Sequence, residues 1–353
     1  MKLALLGDVA LIGAYDLEKG NEVFKKIESI RRLTKDCDVV LANLESPLTN
    51  KNHTFCCKGV YLRSNPINVE LLKYMNVTHV TLANNHIFDY GLAGMRETKK
   101  VLEENGIGYV GLGNNPSYVE KDNSKVVIEG FCCYSANGLR YGHSNNHINT
   151  FDKFSVNKFL DEASNNKALP ILSVHYGIER LHYPAKEHVD IFRTLAKNNK
   201  YILHGNHPHS IQGLEFYNES LLVYAQGNLC FDDCEITSIK EVAYQGDCDN
   251  YIVKIEINNN EIINYHTFPF TDKDSGALEY STILEEELNE YSKALEKDYV
   301  NYRNIEISTK QDSCKHDVKF FVNRLNYKYI GAYIEGISHK KKYIKVIKQF
   351  NEL

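Results

Sequence analysis

The chain has 353 residues, 43% of them hydrophobic and 25% charged. This balance supports about two domains' worth of buried core and excludes disordered, collagen-like and coiled-coil classes. Lys and Arg number 41 against 46 Asp and Glu, a net charge of -5, which argues against a globally basic nucleic-acid binder.

No apolar run approaches the roughly 20 residues of a membrane-spanning helix. Asp8 breaks the N-terminal apolar stretch too early for a signal-peptide core, so a cytoplasmic location is expected. The nine cysteines include the adjacent pairs Cys56-Cys57 and Cys132-Cys133 and form no Cys-x-x-Cys knuckle, so reduced packing thiols are expected.

In chain order, Lys2–Leu6 reads as a buried strand closed by Gly7-Asp8. Asn21–Leu33 has helical apolar spacing at Val23, Phe24, Ile27, Ile30 and Leu33. Asp38–Asn43 is a second strand, Val69–Tyr74 a short helix and Val77–Ala83 a third strand. Leu92–Glu103 is a helix stopped by Asn105-Gly106. Further strands are expected at Tyr109–Leu112, Lys125–Cys133, Leu169–His175, Tyr201–Leu203, Gly213–Tyr217 and Leu221–Tyr224, with helices near Lys153–Glu162 and Lys186–Lys197. This alternation predicts an α/β fold with a mostly parallel core sheet. Tyr217-Asn218-Glu219-Ser220 reads as a hairpin turn, so some strands run antiparallel.

The texture changes after about residue 235. Tyr251–Ile257 and Glu261–His266 form an expected hairpin around Asn258-Asn259-Asn260. Thr282-x-x-Glu285 reads as a capping box opening a helix. The division expected is therefore 1–235 and an α/β extension over 236–353. The last 39 residues carry a charge of +6. This basic tail is either a solvated helix face or a contact for an anionic polymer, a membrane surface or a protein.

Five expected strands end in polar clusters: Gly7-Asp8, Asn43-Leu44-Glu45, Asn84-Asn85-His86, His175 through Glu179, and His204 through His209. Open α/β sheets hold ligands beyond the carboxyl ends of their strands. Carboxylates, amides and imidazoles gathered there suit Zn, Fe, Mn or Ni. On an extended segment His207 and His209 face the same way, and Pro208 resists a helix, so both rings are expected to address one small volume. Asp8 and Glu45 are carboxylates that a cation would compensate. Asn85 offers a neutral oxygen, His86 diverges from it as a general acid, and His175 is a further imidazole at a strand end.

These stretches resemble the CapA family of poly-γ-glutamate capsule biosynthesis proteins, which belongs with the calcineurin-like metallophosphoesterases. The resemblance covers residues 1 to about 235. It runs through Gly7-Asp8-Val9, Asn43 to Thr49, Ala83 to His86 with Asp89-Tyr90-Gly91, His175 to Glu179, Gly205 to His209, and Tyr224 to Asn228 with Phe231-Asp232.

The resemblance implies a four-layer α/β/β/α sandwich and two divalent ions (Mn, Fe or Zn). The ligands it implies are Asp8, Glu45, Asn85, His175, His207 and His209, with His86 protonating a leaving oxygen. Ala10 stands where the wider superfamily has a His, which leaves one ion short of an imidazole unless Asn43 or another group substitutes. Asn43, Arg63 and Glu179 are assigned to substrate: Arg63 as a clamp on phosphate or carboxylate, Glu179 as an orienting carboxylate.

The expected function is phosphoester hydrolysis by an activated water, linked to capsule or cell-surface polymer synthesis, on a phosphorylated or polyanionic substrate. Amide chemistry or handling of a poly-γ-glutamate-like polymer is the alternative, and a non-catalytic family member is the third reading.

Overall fold

The structure, a computed structural model, describes all residues except 55–57, 59, 137–146, 237–240, 243–247, 274–275, 298, 314–326 and 352–353. Cys56-Cys57, His143 and the start of the basic tail, 315–326, lie outside the described residues.

The chain opens with β1 (Lys2–Val9), α1 (Glu22–Lys26), α2 (Glu28–Thr34), β2 (Val39–Leu44), α3 (Val69–Tyr74), β3 (His79–Thr81), α4 (Gly91–Glu104) and β4 (Gly108–Val110). Next come β5 (Ser117–Lys121), β6 (Ser124–Cys132), α5 (Lys153–Asn165), β7 (Leu169–His175), α6 (Lys186–Asn198) and β8 (Ile202–Asn206). Four strands follow: β9 (Leu214–Tyr217), β10 (Ser220–Val223), β11 (Asn228–Cys230) and β12 (Glu235–Ile236). The chain ends with β13 (Glu241–Val242), β14 (Asn250–Asn258), β15 (Glu261–Thr271), β16 (Glu279–Tyr280), α7 (Thr282–Ala294), α8 (Tyr299–Ser313) and α9 (Tyr327–Asn351).

The first sheet has the order β16-β15-β14-β1-β2-β3-β4, with β11 pairing to the end of β1. The second has the order β5-β6-β7-β8-β10-β9. The runs β1-β2-β3-β4 and β6-β7-β8-β10 are parallel, as the strand–helix alternation predicts.

Side-chain alternation builds the layers. Leu3, Leu5, Val39 and Leu41 face Ile171, Ile202, Leu221 and Val223 between the sheets. Ala4, Leu6, Val40 and Ala42 face Ile27, Ile30, Leu71 and Leu72 of the first helical layer. Leu172, Val174, Leu203 and Leu222 face Val156, Leu160, Val189 and Phe192 of the second. The protein is therefore a four-layer α/β/β/α sandwich.

Four local outcomes depart from the expectations. The helix expected over 21–33 breaks at Ile27, because the Lys26 carbonyl leaves the helical ladder to accept the Leu278 N–H at 2.9 Å. β5 lacks an apolar signature because it is a largely exposed edge strand. The cap of α7 is Ser281, whose side chain accepts from Leu284 N at 3.2 Å; Thr282 is the first helical residue. The hairpin β14–β15 pairs directly with β1, so the first sheet continues past the division expected at residue 235.

The hairpin turns at Asn218-Glu219 and Asn259-Asn260 use positive φ, in keeping with the turn positions expected. In α9, Val346 and Phe350 are buried in the second helical layer while Lys340, Lys341 and Lys342 are exposed. Among the described residues, no helix is long and apolar enough to cross a membrane.

The segment 224–227, which joins β10 to β11, runs tightly past the ends of β1 and β8: a Cβ on Gly7 would collide with the Gly227 carbonyl, and one on Gly205 with the Tyr224 carbonyl. The buried His204 ring crosses the gap between the sheets, with Nε2 2.8 Å from the Leu6 carbonyl and Nδ1 3.0 Å from Ser173 Oγ. Burial pushes its pKa down to about 4. The unfolded histidine takes a proton near pH 6.5 and the folded one does not. Its contribution is therefore complete above that pH and is lost as pH falls towards 4, by at most about 3 kcal/mol. Urea unfolding measured from pH 7 to 4 should show this loss, and His204→Gln should reduce the slope by the His204 share while leaving that of the other buried rings.

Candidate metal and catalytic site

Seven residues named from sequence at or just beyond strand ends converge here. Asp8, next to last in β1, lies beside Asn43, and the two are in register across β1 and β2. Asn43 Nδ2 lies 2.7 Å from Asp8 Oδ1 and 3.3 Å from His175 Nδ1. Asp8 Oδ2 accepts the His207 backbone N–H at 3.2 Å and lies 3.5 Å from His209 Nδ1. Glu45 Oε1 is 3.7 Å from His175 Nε2 and 3.6 Å from His209 Nε2. Asn85 Oδ1 is 3.0 Å from His175 Nε2. The rings of His175 and His207 stand 4.6 Å apart.

The His-x-His reading needs a correction. The segment is not extended: His207 has φ 99 and His209 φ 54, both in the left-handed region. The rings converge through a strained turn that the Arg180 N–H holds by bonding the Pro208 carbonyl at 2.6 Å.

Two further assignments change. Both Asn43 contacts through Nδ2 go to Asp8 and His175, and its Oδ1 accepts from Asn84 at 3.3 Å. It therefore orients other side chains and has no amide proton left for substrate. Arg63 donates to the Lys51 carbonyl at 3.2 Å and to the Asn52 side chain, and lies over the Tyr90 ring. Both hydrogen bonds engage one terminal nitrogen, Nη1. Glu179 joins the cluster: one of its oxygens and a ring nitrogen each from His207 and His209 all lie within 4.8 Å of one another.

Beside the cluster sits a triad that sequence reasoning did not assemble. His86 Nδ1 is 2.7 Å from Asp89 Oδ2, and Lys58 Nζ is 2.7 Å from Asp89 Oδ1, 2.6 Å from the Asn85 carbonyl and 3.3 Å from His86 Nδ1. Asn84 Oδ1 accepts from the backbone N–H of His86 and Ile87, which shapes this turn. The i,i+3 spacing of His86 and Asp89 could have suggested their pair. Nothing local to Lys58 signals its partners. His147 meets Asn114 at 3.4 Å.

Burial raises the Glu45 carboxyl, with Asp8 and Glu179 adding to the effect. Burial alone would lower His209, but the Glu45, Asp8 and Glu179 carboxylates outweigh it and raise it. Burial depresses His175 and His207, so both rings are neutral at physiological pH. His86 is lowered by burial and then by Lys58, against the pull of Asp89.

The donor chemistry fits divalent cations. Both carboxylate oxygens of Glu45 and both ring nitrogens of His207 are buried without a hydrogen-bond partner. Three overlapping groups have their ligand atoms within 4.8 Å: Asp8-Glu45-His209, Glu45-His175-His207 and Glu179-His207-His209. Buried polar atoms left unpaired are costly, and carboxylate with imidazole is a donor set for Zn, Fe or Mn.

Residues 2–233 match the family model described as bacterial capsule synthesis protein PGA_cap, and the chain belongs to that family. PGA biosynthesis protein CapA of Bacillus subtilis (strain 168) is 28% identical over 246 residues, which are 66% of this chain and 63% of that protein. Capsule biosynthesis protein CapA of Bacillus anthracis is 26% identical over 211 residues, 56% of this chain and 51% of its own. The chain thus spans about half to two thirds of the length of these relatives. Among solved structures, a hypothetical protein from Thermus thermophilus is similar over 77% of this chain and 99% of its own, at 13% identity and a TM-score of 0.47.

Asn43→Ala should remove the side-chain donor to buried Asp8 and destabilise the metal-free fold by about 1–3 kcal/mol. Urea unfolding in chelator measures this. An unchanged midpoint would show that Asn43 does not hold Asp8.

Proposed function

We propose that this chain is a metal-dependent hydrolase that cleaves phosphoesters in the making of a capsule or other cell-surface polymer. The observation that carries this reading is the set of buried, unpartnered ligand atoms on Glu45 and His207 beside the paired Asp89 and His86. Asp8, Glu45, Asn85, His175, His207 and His209 would hold two divalent ions, with Glu179 in reach of His207 and His209. Such ions supply Lewis acidity toward water and toward the oxygens of the group attacked.

The chain's own groups do the remainder. Asn43 keeps Asp8 and His175 in register. Asp89 fixes the His86 ring through Nδ1 and would stabilise it as an imidazolium, whose Nε2 proton would go to the departing oxygen and leave the ring neutral with Nδ1–H. With Ala10 at position 10, Asn43 would arrange Asp8 beside the ions.

A second reading keeps the same water and changes the target to an amide carbonyl. The PGA biosynthesis name of the Bacillus subtilis relative favours a poly-γ-glutamate-like polymer as that substrate. Lys340, Lys341 and Lys342 are exposed cations that would meet such a polyanion.

Metal analysis of the purified protein, followed by turnover of bis-p-nitrophenyl phosphate and shortening of poly-γ-glutamate, separates the readings. The expected result is bound metal and phosphodiester turnover. His207→Ala should lose metal, and His86→Ala should keep metal while kcat falls about 10²–10⁴-fold. Polymer shortening without ester turnover would select the amide reading. A protein that binds no metal and turns over neither substrate would overturn both.

A further inference from the structure

We propose that Lys58 is a positioning residue of this site: its ammonium holds Asp89 and, through Asp89, fixes the His86 ring with Nδ1 protonated and Nε2 left for substrate. This rests on the hydrolase reading above and adds to it a residue from a separate stretch of chain.

Lys58 is only 8% exposed, and a lysine at that depth is costly unless its charge is matched. It is matched by Asp89, itself 1% exposed, at 2.7 Å, with a second bond to the Asn85 carbonyl at 2.6 Å. The Asp89 carboxylate is enclosed by three donors: Lys58 on Oδ1, and His86 Nδ1 and the Leu62 backbone N–H, at 2.7 and 2.8 Å, on Oδ2. A carboxylate oxygen and a ring nitrogen 2.7 Å apart require a proton between them, so the proton sits on Nδ1. The 3.3 Å separation of Lys58 from Nδ1 is then a charge–dipole approach and not a hydrogen bond.

Lys58 also has its own anchor. Its backbone N–H donates to Tyr61 Oη at 2.8 Å, and the loop before α3 and the turn after β3 are tied at two points, Lys58–Asp89 and Leu62–Asp89. Removing the ammonium leaves a buried carboxylate without its main counter-charge. The carboxylate then takes up protons or turns away, and the ring it held is released.

The alternative role, direct binding of a substrate anion, predicts a different kinetic signature. If the ammonium bound substrate, its removal would raise KM. A positioning role lowers kcat, and does so most where the leaving oxygen needs a proton.

Two readouts test the proposal on the full chain. In selectively ¹⁵N-histidine-labelled, metal-free protein, NMR should show His86 as the Nδ1–H tautomer. Lys58→Met should shift or broaden its ring signals, Lys58→Arg should restore them in part, and the buried His188 and His204 rings should stay in place as fold controls. Unchanged His86 signals in Lys58→Met, or a wild-type ring with no proton on Nδ1, would overturn the proposal. If Lys58→Met does not fold, Asp89→Asn reads the same link from its other end.

In the metal-loaded enzyme, Lys58→Met should lower kcat about 10–100-fold for an alkyl phosphodiester, with a much smaller loss for the p-nitrophenyl ester and little change in KM. A raised KM with unchanged kcat would overturn the positioning role. Wild-type protein inactive on both esters, with the NMR response intact, would remove the hydrolase reading and uphold the hold of Lys58 on His86.

Discussion

A surplus of buried lone pairs governs this molecule. At the end of β1 and β2 the fold brings together the carboxylates of Asp8 and Glu45 and the neutral rings of His175 and His207, all nearly inaccessible to water. The donors supplied are few: the Asn43 amide, the His207 backbone N–H and the raised His209 ring. These satisfy Asp8 and leave the Glu45 carboxylate and the His207 ring without hydrogen bonds. A site that kept such an imbalance without a compensating cation would give up stability for nothing, which is why the imbalance itself points to what the site holds.

The sandwich is arranged to make that imbalance possible. Strand ends at the carboxyl edge of a parallel sheet present several segments to one volume, and two sheets meeting there double the number. The meeting is tight. His204 joins the sheets through the Leu6 carbonyl, and Gly7 and Gly205 admit the backbone that passes from β10 to β11. Above this rigid base the chain accepts positive φ at His207 and His209, a strain that surrounding bonds such as Arg180 N–H to Pro208 hold in place. Side chains fixed on strand ends and bonded turns keep their positions in a way a mobile loop would not.

How far this was legible varies with how local each cause is. The strands at Lys2, Asp38 and Leu169 are apolar runs with polar ends, so both the elements and the clusters Asp8, Glu45 and His175 could be read from sequence. The convergence of His207 and His209 was foreseen for the wrong reason, since extended alternation was assumed where the chain makes a positive-φ turn. Asn43 was placed on substrate because its partners, Asp8 and His175, come from strands that only the fold brings near. Lys58 was missed altogether: its counter-charge is 31 residues away, and no pattern around it marks a buried cation. The break at Ile27 is of the same kind, caused by Leu278 from the far end of the chain.

Residues beyond 233, where the family match ends, belong to the same physical unit. β14 completes the first sheet beside β1, so the strand that delivers Asp8 is flanked by β2 on one side and by β14 on the other. At the far rim, Glu306 of α8 accepts the His182 backbone N–H at 3.0 Å, Tyr291 of α7 stacks on the His182 ring, and Tyr302 stacks on Tyr183. Gln212 meanwhile holds the Leu181 carbonyl at 2.8 Å. These contacts fix the loop that carries Glu179 and whose Arg180 bonds the Pro208 turn. Among the described residues, the extension supplies none of the cluster's ligand atoms, yet it braces the strand behind Asp8 and the loop bearing Glu179, so the site's geometry depends on the chain through α8.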